Sequence, residues 1–364
     1  MKYDFLIVGS GLFGSVFARQ MTDKGKKCLV IDKRSHIGGN CYTENIHNIE
    51  VHKYGPHIFH TNSREIWDYI NQFSDFRQFI YRPKVNFKGQ IYSFPINLFT
   101  LYQVYGVTTP EDAKNILETI YKEKIDNPQN LEEYAINEVG LELYHKFIYG
   151  YTKKQWNREP RDLPKSIIAR LPVRLNYDDN YFNDEYQGIP KNGYTEIFNN
   201  LLTSVDTEIG VDYLKDRDKL DSMAKRIVYT GPIDEFFNYQ YDALEWRSLR
   251  FEEEILDIED YQGTYVINYT DYNIPYTRIC EHKHFLNNKS NKTIITKEYP
   301  QNWTKDNDRY YPVNDKENIY RYLKYRNLID ENKYIFGGRL AEYKYYDMHQ
   351  VIARALKIAG EIND

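Results

Sequence analysis

The stretch Tyr3-Asp4-Phe5-Leu6-Ile7-Val8-Gly9-Ser10-Gly11-Leu12-Phe13-Gly14 opens the chain with an apolar run, a glycine-rich turn and the start of a helix. Residues 3–8 are apolar enough for a parallel strand covered on both faces. Gly9, Gly11 and Gly14 complete a GxGxxG pattern. The first glycine permits the tight turn, the second lets the backbone approach a pyrophosphate, and the third lets helix and strand pack closely. An amphipathic helix then runs to about Lys24, and Gly25 ends it as a C-terminal cap. Lys27 to Ile31 reads as a second strand, with Asp32 at its carboxyl end. A carboxylate there accepts hydrogen bonds from ribose hydroxyls and repels a 2′-phosphate. Strand, turn, helix, strand and acid together make a dinucleotide-binding βαβ unit whose helix N-terminus offers free N–H groups to an anion.

Three further elements separate FAD from NAD. Lys33-Arg34 and Ile37-Gly38-Gly39-Asn40 follow the second strand directly, bringing a second glycine pair to the pyrophosphate or the ribityl chain. Tyr229-Thr230-Gly231-Pro232 ends a later strand where the chain returns to the nucleotide, and Gly337-Gly338-Arg339 forms a final strand-to-helix turn. Their order favours FAD. No second GxGxxG occurs, so a dedicated NAD(P)H domain is not expected.

Outward from this unit, Val85-Asn86-Phe87 and Gln90-Ile91-Tyr92 flank Lys88-Gly89 as two strands around a tight turn. Helices are expected from Pro110 to Lys124, from Leu131 to Val139 and from Leu141 to Tyr149, in a block ending near Arg158. Strands return at Arg226–Tyr229, Gly263–Tyr269, Thr293–Lys297 and Tyr334–Phe336, and a helix from about Asp347 to Ala359 closes the chain. The expected fold is α/β: a discontinuous Rossmann-like FAD-binding domain (1–80, 196–233 and 329–364) with an inserted helical substrate-lid domain (98–175). A mostly antiparallel β-sheet domain (81–97 and 234–328) and a sheet or mobile loop (176–195) complete it.

Length and composition set outer limits. At 364 residues, with 41% hydrophobic and 28% charged, the chain fits a soluble protein of two or three structural units. A net charge of −5 argues against a nucleic-acid binder. No apolar run approaches a membrane span, and a strand begins at Tyr3 where a leader would stand, so a cytoplasmic location is expected. Cys28, Cys41 and Cys280 have no metal-ligand spacing and fit a reducing compartment. His282 and His284 alternate as on a strand; with no third ligand nearby, no metal is assigned. The 36 tyrosines fit either sugar-stacking rings or a compositional bias shared with Lys, Asn and Ile, so only tyrosines within motifs carry weight.

Residues 54–61, Tyr54-Gly55-Pro56-His57-Ile58-Phe59-His60-Thr61, resemble the segment beside the flavin ring in bacterial UDP-galactopyranose mutases. Four more segments agree in order: Gly150-Tyr151-Thr152-Lys153-Lys154-Gln155-Trp156, Arg170-Leu171-Pro172-Val173-Arg174, Tyr276-Thr277-Arg278, and Glu342-Tyr343-Lys344-Tyr345-Tyr346-Asp347-Met348. The resemblance spans essentially the whole chain. It implies interconversion of UDP-galactopyranose and UDP-galactofuranose on reduced FAD, with N5 of the flavin attacking the anomeric carbon and no net redox change. It also implies a homodimer. Whether an N-acetylated galactose is accepted stays open.

By the same resemblance Arg170 and Arg278 bind the diphosphate, a role suited to cationic forks. Trp156 stacks on the uracil. Tyr151, Tyr181, Tyr311 and Tyr345 surround the diphosphate and sugar, and Arg247 lies near substrate or flavin. Asp347 stands close to both, with His57 and His60 at the flavin face. Arg170, Arg278, His60 and Asp347 are the implied catalytic set. Gly9, Gly11, Phe13, Gly14, Asp32, Lys33, Gly39, Asn40, Gly338, Arg339 and Met348 complete the cofactor site. Trp156 and the two histidines also suit a core role, and a lone Arg suits the surface. A flavin amine oxidase shares the FAD domain but calls for an apolar pocket without several arginines, and a non-catalytic flavin-binding scaffold is a third reading.

Overall fold

A computed structural model of the chain describes residues 1–120, 124–169 and 171–362. Its central sheet has five parallel strands in the order Asp206–Ile209, Cys28–Asp32, Tyr3–Val8, Ala224–Tyr229 and Tyr334–Phe336. Successive side chains on these strands serve opposite faces. Phe5, Ile7, Val30 and Val228 pack under the helices Leu12–Asp23 and Met348–Glu361. Leu6, Leu29, Ile31 and Ile227 fill a second layer with Tyr213 and Phe236. Both faces are covered, as the unbroken apolar runs require. The sheet draws on three separated stretches of chain, so the expected discontinuous Rossmann-like fold is present.

A second sheet of seven strands runs Tyr311–Pro312, Trp246–Leu256, Thr293–Asn302, Arg278–Glu281, Val266–Tyr269, Lys84–Phe87 and Gln90–Ser93. Every pair is antiparallel except Val266–Tyr269 with Lys84–Phe87. Lys88 and Gly89 both take positive φ, 51° and 84°, which is the turn geometry that matches strand twist. His282 and His284 are not on a strand: the strand stops at Glu281, and His282 caps the short helix Lys283–Leu286.

After the strand Gln90–Ser93 the chain builds a helical unit from Leu98–Tyr105, Pro110–Ile120 and Leu131–Leu143 around a core that includes Leu101, Leu131, Leu143 and Tyr144 and is shared with Val85 and Tyr92 of the second sheet. Residues 121–123, part of the expected helix to Lys124, lie outside the described residues, and Lys124 itself is not helical. Gly140 breaks the third helix with φ 78° and ψ 164°, at the expected division. The following run does not end at Tyr149. A wide π-turn over Tyr144–Tyr149 carries it onward as an α-helix, Gly150–Trp156. Such turns recur at functional sites, and this one precedes Tyr151 and Trp156.

Candidate active site

The parallel strands of the central sheet point their carboxyl ends at one crevice, where ligands of open α/β sheets bind. Gly9 N–H donates to Ile31 O at 2.8 Å, Thr230 N–H to Val8 O at 3.0 Å, and Gly337 N–H to Tyr229 O at 3.2 Å. Three turns are thereby stitched into one floor. A Cβ on Gly14 would fall 2.0 Å from Gly9 O, and one on Gly39 would fall 3.2 Å from the Gly11 Cα, so the two glycine loops meet backbone to backbone. The helix Leu12–Asp23 has no side-chain cap, which leaves its first N–H groups for an anion. Asp32 is buried; it accepts from Ser10 N–H at 2.8 Å, Ser10 Oγ at 2.6 Å and Arg34 N–H at 2.9 Å. The carboxylate is therefore oriented by the turn itself. This cradle, which any side chain would fill, fits a dinucleotide pyrophosphate.

Not every residue assigned to the cofactor points into it. The Phe13 ring is buried against Gly337 and stacks with Phe17 at 6.5 Å, so only its main chain is available to a nucleotide. Lys33 is exposed. Asn40 accepts from Arg34 at 3.0 Å. Gly338 takes φ 92°, and the neighbouring Arg339 donates to Tyr346 O at 2.6 Å while lying 4.6 Å over the Tyr345 ring. Asp347 precedes the last helix, where Gln350 Oε1 accepts its N–H at 2.9 Å. Met348 packs on the core beside it.

Histidines cluster on the same side. His57 Nδ1 lies 2.8 Å from Gly55 O, and its main-chain N–H donates to His52 Nδ1 at 3.1 Å. His52 N–H in turn donates to His282 Nδ1 at 3.2 Å, and His282 Nε2 meets Thr296 Oγ1 at 2.7 Å. Burial pushes the His57 pKa down to about 4 and that of His282 to about 3, so both rings are neutral at pH 7. The charges of Arg339 and Arg278 both reach His57 and lower its pKa slightly further. His60 has a different commitment. Its Nδ1 pairs with Asp184 Oδ2 at 2.7 Å and its ring stacks on Phe182 at 3.7 Å. Gln187, opposite His60 in the sheet, donates to Asp184 O at 2.9 Å. His60 therefore anchors the segment that carries Tyr181.

On the other side of the crevice Tyr151, Trp156, Tyr181, Arg278, Tyr311 and Tyr345 are all half-buried, as residues lining a cleft are. Tyr311 stacks with Tyr345 at 5.9 Å and lies 6.5 Å from Trp156. Tyr151 faces Arg278, Glu298, Tyr181 and Tyr345, and burial pushes its hydroxyl up to about 12. Arg278 pairs with buried Glu298 at 3.0 Å, directly across the sheet, yet its Nε has no partner among the described residues. An arginine with an unused buried donor among tyrosine rings is equipped to take an anion. Arg170, the second expected diphosphate residue, lies outside the described residues.

Arg247 lies opposite Tyr311 in the sheet, beneath the helix of Trp156. Its Nε donates to Gln155 O at 2.7 Å, its Nη2 to Lys154 O at 3.4 Å, and its Nη1 reaches Asn302. It caps the helix under Trp156, with its pKa lowered by burial to about 10. Sequence reading missed Glu298, Asp184 and Tyr81, whose ring lies 5.3 Å from that of Tyr181; their partners are set by strand register and chain return.

Residues 146–345 match the family model described as UDP-galactopyranose mutase. The chain belongs to that family. Residues 7–73 also match a model described as an NAD(P)-binding Rossmann-like domain. A probable UDP-galactopyranose mutase of Klebsiella pneumoniae is 41% identical, covering 98% of this chain and 94% of that protein. A dTDP-fucopyranose mutase of Escherichia coli is 40% identical over 97% of each chain. Among solved structures, a reduced UDP-galactopyranose mutase superposes with a TM-score of 0.77 at 12% identity, covering 99% of this chain and 93% of that one. A putrescine oxidase bound to putrescine superposes with a TM-score of 0.61 at 9% identity over 99% of each chain. The amine-oxidase fold is thus shared, as a common FAD-domain architecture anticipates. Family membership makes the chain an isomerase and sets the oxidase reading aside.

Proposed function

We propose that the protein interconverts UDP-galactopyranose and UDP-galactofuranose, supplying the furanose sugar for surface polysaccharide, on a bound FAD that works in its reduced form. The observation that carries this reading is Arg278, with an unused buried Nε amid Tyr151, Tyr311 and Tyr345, set beside the glycine crevice. When bound and reduced, FAD supplies through N5 an electron-rich nitrogen able to displace the diphosphate from the anomeric carbon. Arg278, with Arg170, neutralises the departing diphosphate and keeps it aligned for return. Trp156 offers a flat face to the uracil. The Tyr151 and Tyr311 hydroxyls, held protonated by burial, donate hydrogen bonds to the diphosphate and sugar oxygens, as does Tyr345. His57 stays neutral and presents no charge to the flavin face. His60 acts by holding the Tyr181–Glu185 segment down, which excludes water from the reacting sugar. Asp347, at the cap of the last helix, stands close to the flavin and the substrate in this reading.

A second reading is favoured by the Escherichia coli relative, whose name gives dTDP-fucopyranose as its substrate. A 6-deoxy sugar, a thymine methyl and the loss of the ribose 2′-hydroxyl leave the diphosphate unchanged, and both readings use the same arginine and tyrosines. The experiment is direct. Dithionite-reduced enzyme is incubated separately with UDP-galactose, UDP-N-acetylgalactosamine and dTDP-fucose, and the products are resolved by chromatography. Furanose product from UDP-galactose, strongest of the three and absent from fully oxidised enzyme, is expected. Turnover of dTDP-fucose alone would transfer the assignment to the second reading, and equal activity of oxidised enzyme would remove the reduced cofactor from it.

A further inference from the structure

We propose that Lys154 is a positioning residue for the nucleotide sugar, fixing the helix that carries Tyr151 and Trp156 to the loop that leads into Arg278. This rests on the functional reading above. The Lys154 ammonium donates to four main-chain carbonyls: Tyr269 at 2.7 Å, and Asp271, Ile274 and Tyr276 at 2.9 Å each. An ammonium has three protons, so this ring of oxygens holds it as a point charge. Among the described residues no carboxylate hydrogen-bonds to the ammonium, and all four partners are backbone.

The same seam is closed by two other contacts. A Cβ on Gly150 would fall 2.2 Å from Thr270 O and 2.9 Å from Tyr272 N, so helix and loop touch backbone to backbone. Thr270 Oγ1 donates to Lys146 O at 2.6 Å, one turn earlier. At the far end of the helix, Arg247 grips the carbonyls of Lys154 and Gln155. Both ends of a seven-residue helix are thereby fixed to one sheet.

What lies on each side of the seam makes this more than general stability. Tyr151 stands three residues before Lys154, on the same helix face. Arg278 stands two residues beyond Tyr276, the last carbonyl of the cage. Tyr151 and Arg278 are electrostatic neighbours across the cleft. The lysine therefore sets the gap that a diphosphate must fill, while the cofactor crevice is built from other elements. Its loss should weaken ligand binding and leave cofactor retention alone.

The test replaces Lys154 with Met, which keeps the length of the side chain and removes the charge. Lys154→Met should raise KM for the nucleotide sugar by about tenfold or more and weaken UDP by a similar factor in calorimetry. Its kcat should stay within about threefold of wild type, with flavin content unchanged. Gly150→Ala, which keeps the lysine but pushes the loop away, should give the same split. Lys153→Met, whose ammonium instead pairs with Glu159 at 2.6 Å, should behave as wild type. Wild-type KM and UDP affinity in Lys154→Met would overturn the proposal, even with a lowered melting temperature. If that variant does not fold, Gly150→Ala decides on the same two measurements. A wild-type enzyme that turns over no nucleotide sugar defeats the functional reading instead, and UDP calorimetry then tests the seam by itself.

Discussion

Arg278 and Glu298 form a cross-strand pair in which the acid is 2% exposed, so removing the arginine alone leaves a buried carboxylate without its partner. Arg278→Ala should therefore lower both turnover and stability. Loss of one charge-assisted contact to the diphosphate is worth roughly 1.5–3 kcal/mol, and misalignment of the leaving group adds to it. Adding Glu298→Gln should recover the melting temperature while turnover stays low; recovery of turnover as well would take Arg278 out of substrate binding. Trp156→Ala should cost about 1–3 kcal/mol of UDP affinity, by analogy with base stacking on aromatic rings, with flavin content unchanged. Calorimetry showing unaltered UDP binding would return Trp156 to a packing role. Arg278 was legible because Tyr276-Thr277-Arg278 sits within a recognisable segment. Glu298 was not, since its place opposite Arg278 depends on the register of two strands. Lys154 stood inside a quoted motif without a role, because its partners are carbonyls that every residue possesses.

Among the elements, the βαβ unit was legible because its glycines are dictated by contacts that admit no side chain. Gly337 shows how strict this is: a Cβ there would lie 2.0 Å from the Phe13 ring. Gly337→Ala should displace that ring and, with it, the N-terminus of helix Leu12–Asp23, lowering the flavin bound per chain. The ratio of flavin to protein absorbance measures this, and Gly337→Ala with Phe13→Leu should recover part of the loss. Full flavin content in the single variant would be the failing result. Other elements were hidden. Trp246–Leu256 carries Arg250 and Glu252-Glu253-Glu254 beyond the core, where the long strand runs into solvent and hydrophobic alternation fades. The hairpin of Thr43–Ile46 with Ile49–His52 turns through His47 and Asn48, both at positive φ, without the glycine that usually marks such a turn.

For the molecule as a whole, the buried histidines link folding to pH. His57 and His282 have native pKa values of about 4 and about 3, and that of His52 is also lowered by burial. Unfolded, each titrates near about 6.5. Between those values the unfolded chain binds more protons than the native one, so stability rises with pH over this interval. The contribution is complete above about pH 6.5 and is lost progressively as pH falls towards 4 and 3. The urea midpoint of the holoprotein should therefore drop between about pH 7 and 5.5, a range in which ordinary carboxylates stay ionised. A flat midpoint would mean that these rings take up protons without unfolding. None of this was visible in the sequence, where His52 drew no notice and His282 suggested a strand.

The wide turn at Tyr144–Tyr149 makes the length of this stretch an inflexible quantity. A surface loop absorbs an added or deleted residue by bulging, but a helix converts it into rotation. The π-turn has already absorbed its one extra residue, so deleting a residue from the ordinary helical turn before it, Leu141–Leu143, would swing everything downstream by roughly 100° about the axis, with a shift of about 1.5 Å along it. Tyr151 would turn away from the cleft and Lys154 from its ring of oxygens in the same movement. Between Gly140 and Trp156, outside the π-turn itself, chains that share this site should therefore tolerate changes of residue type more readily than any change in residue count.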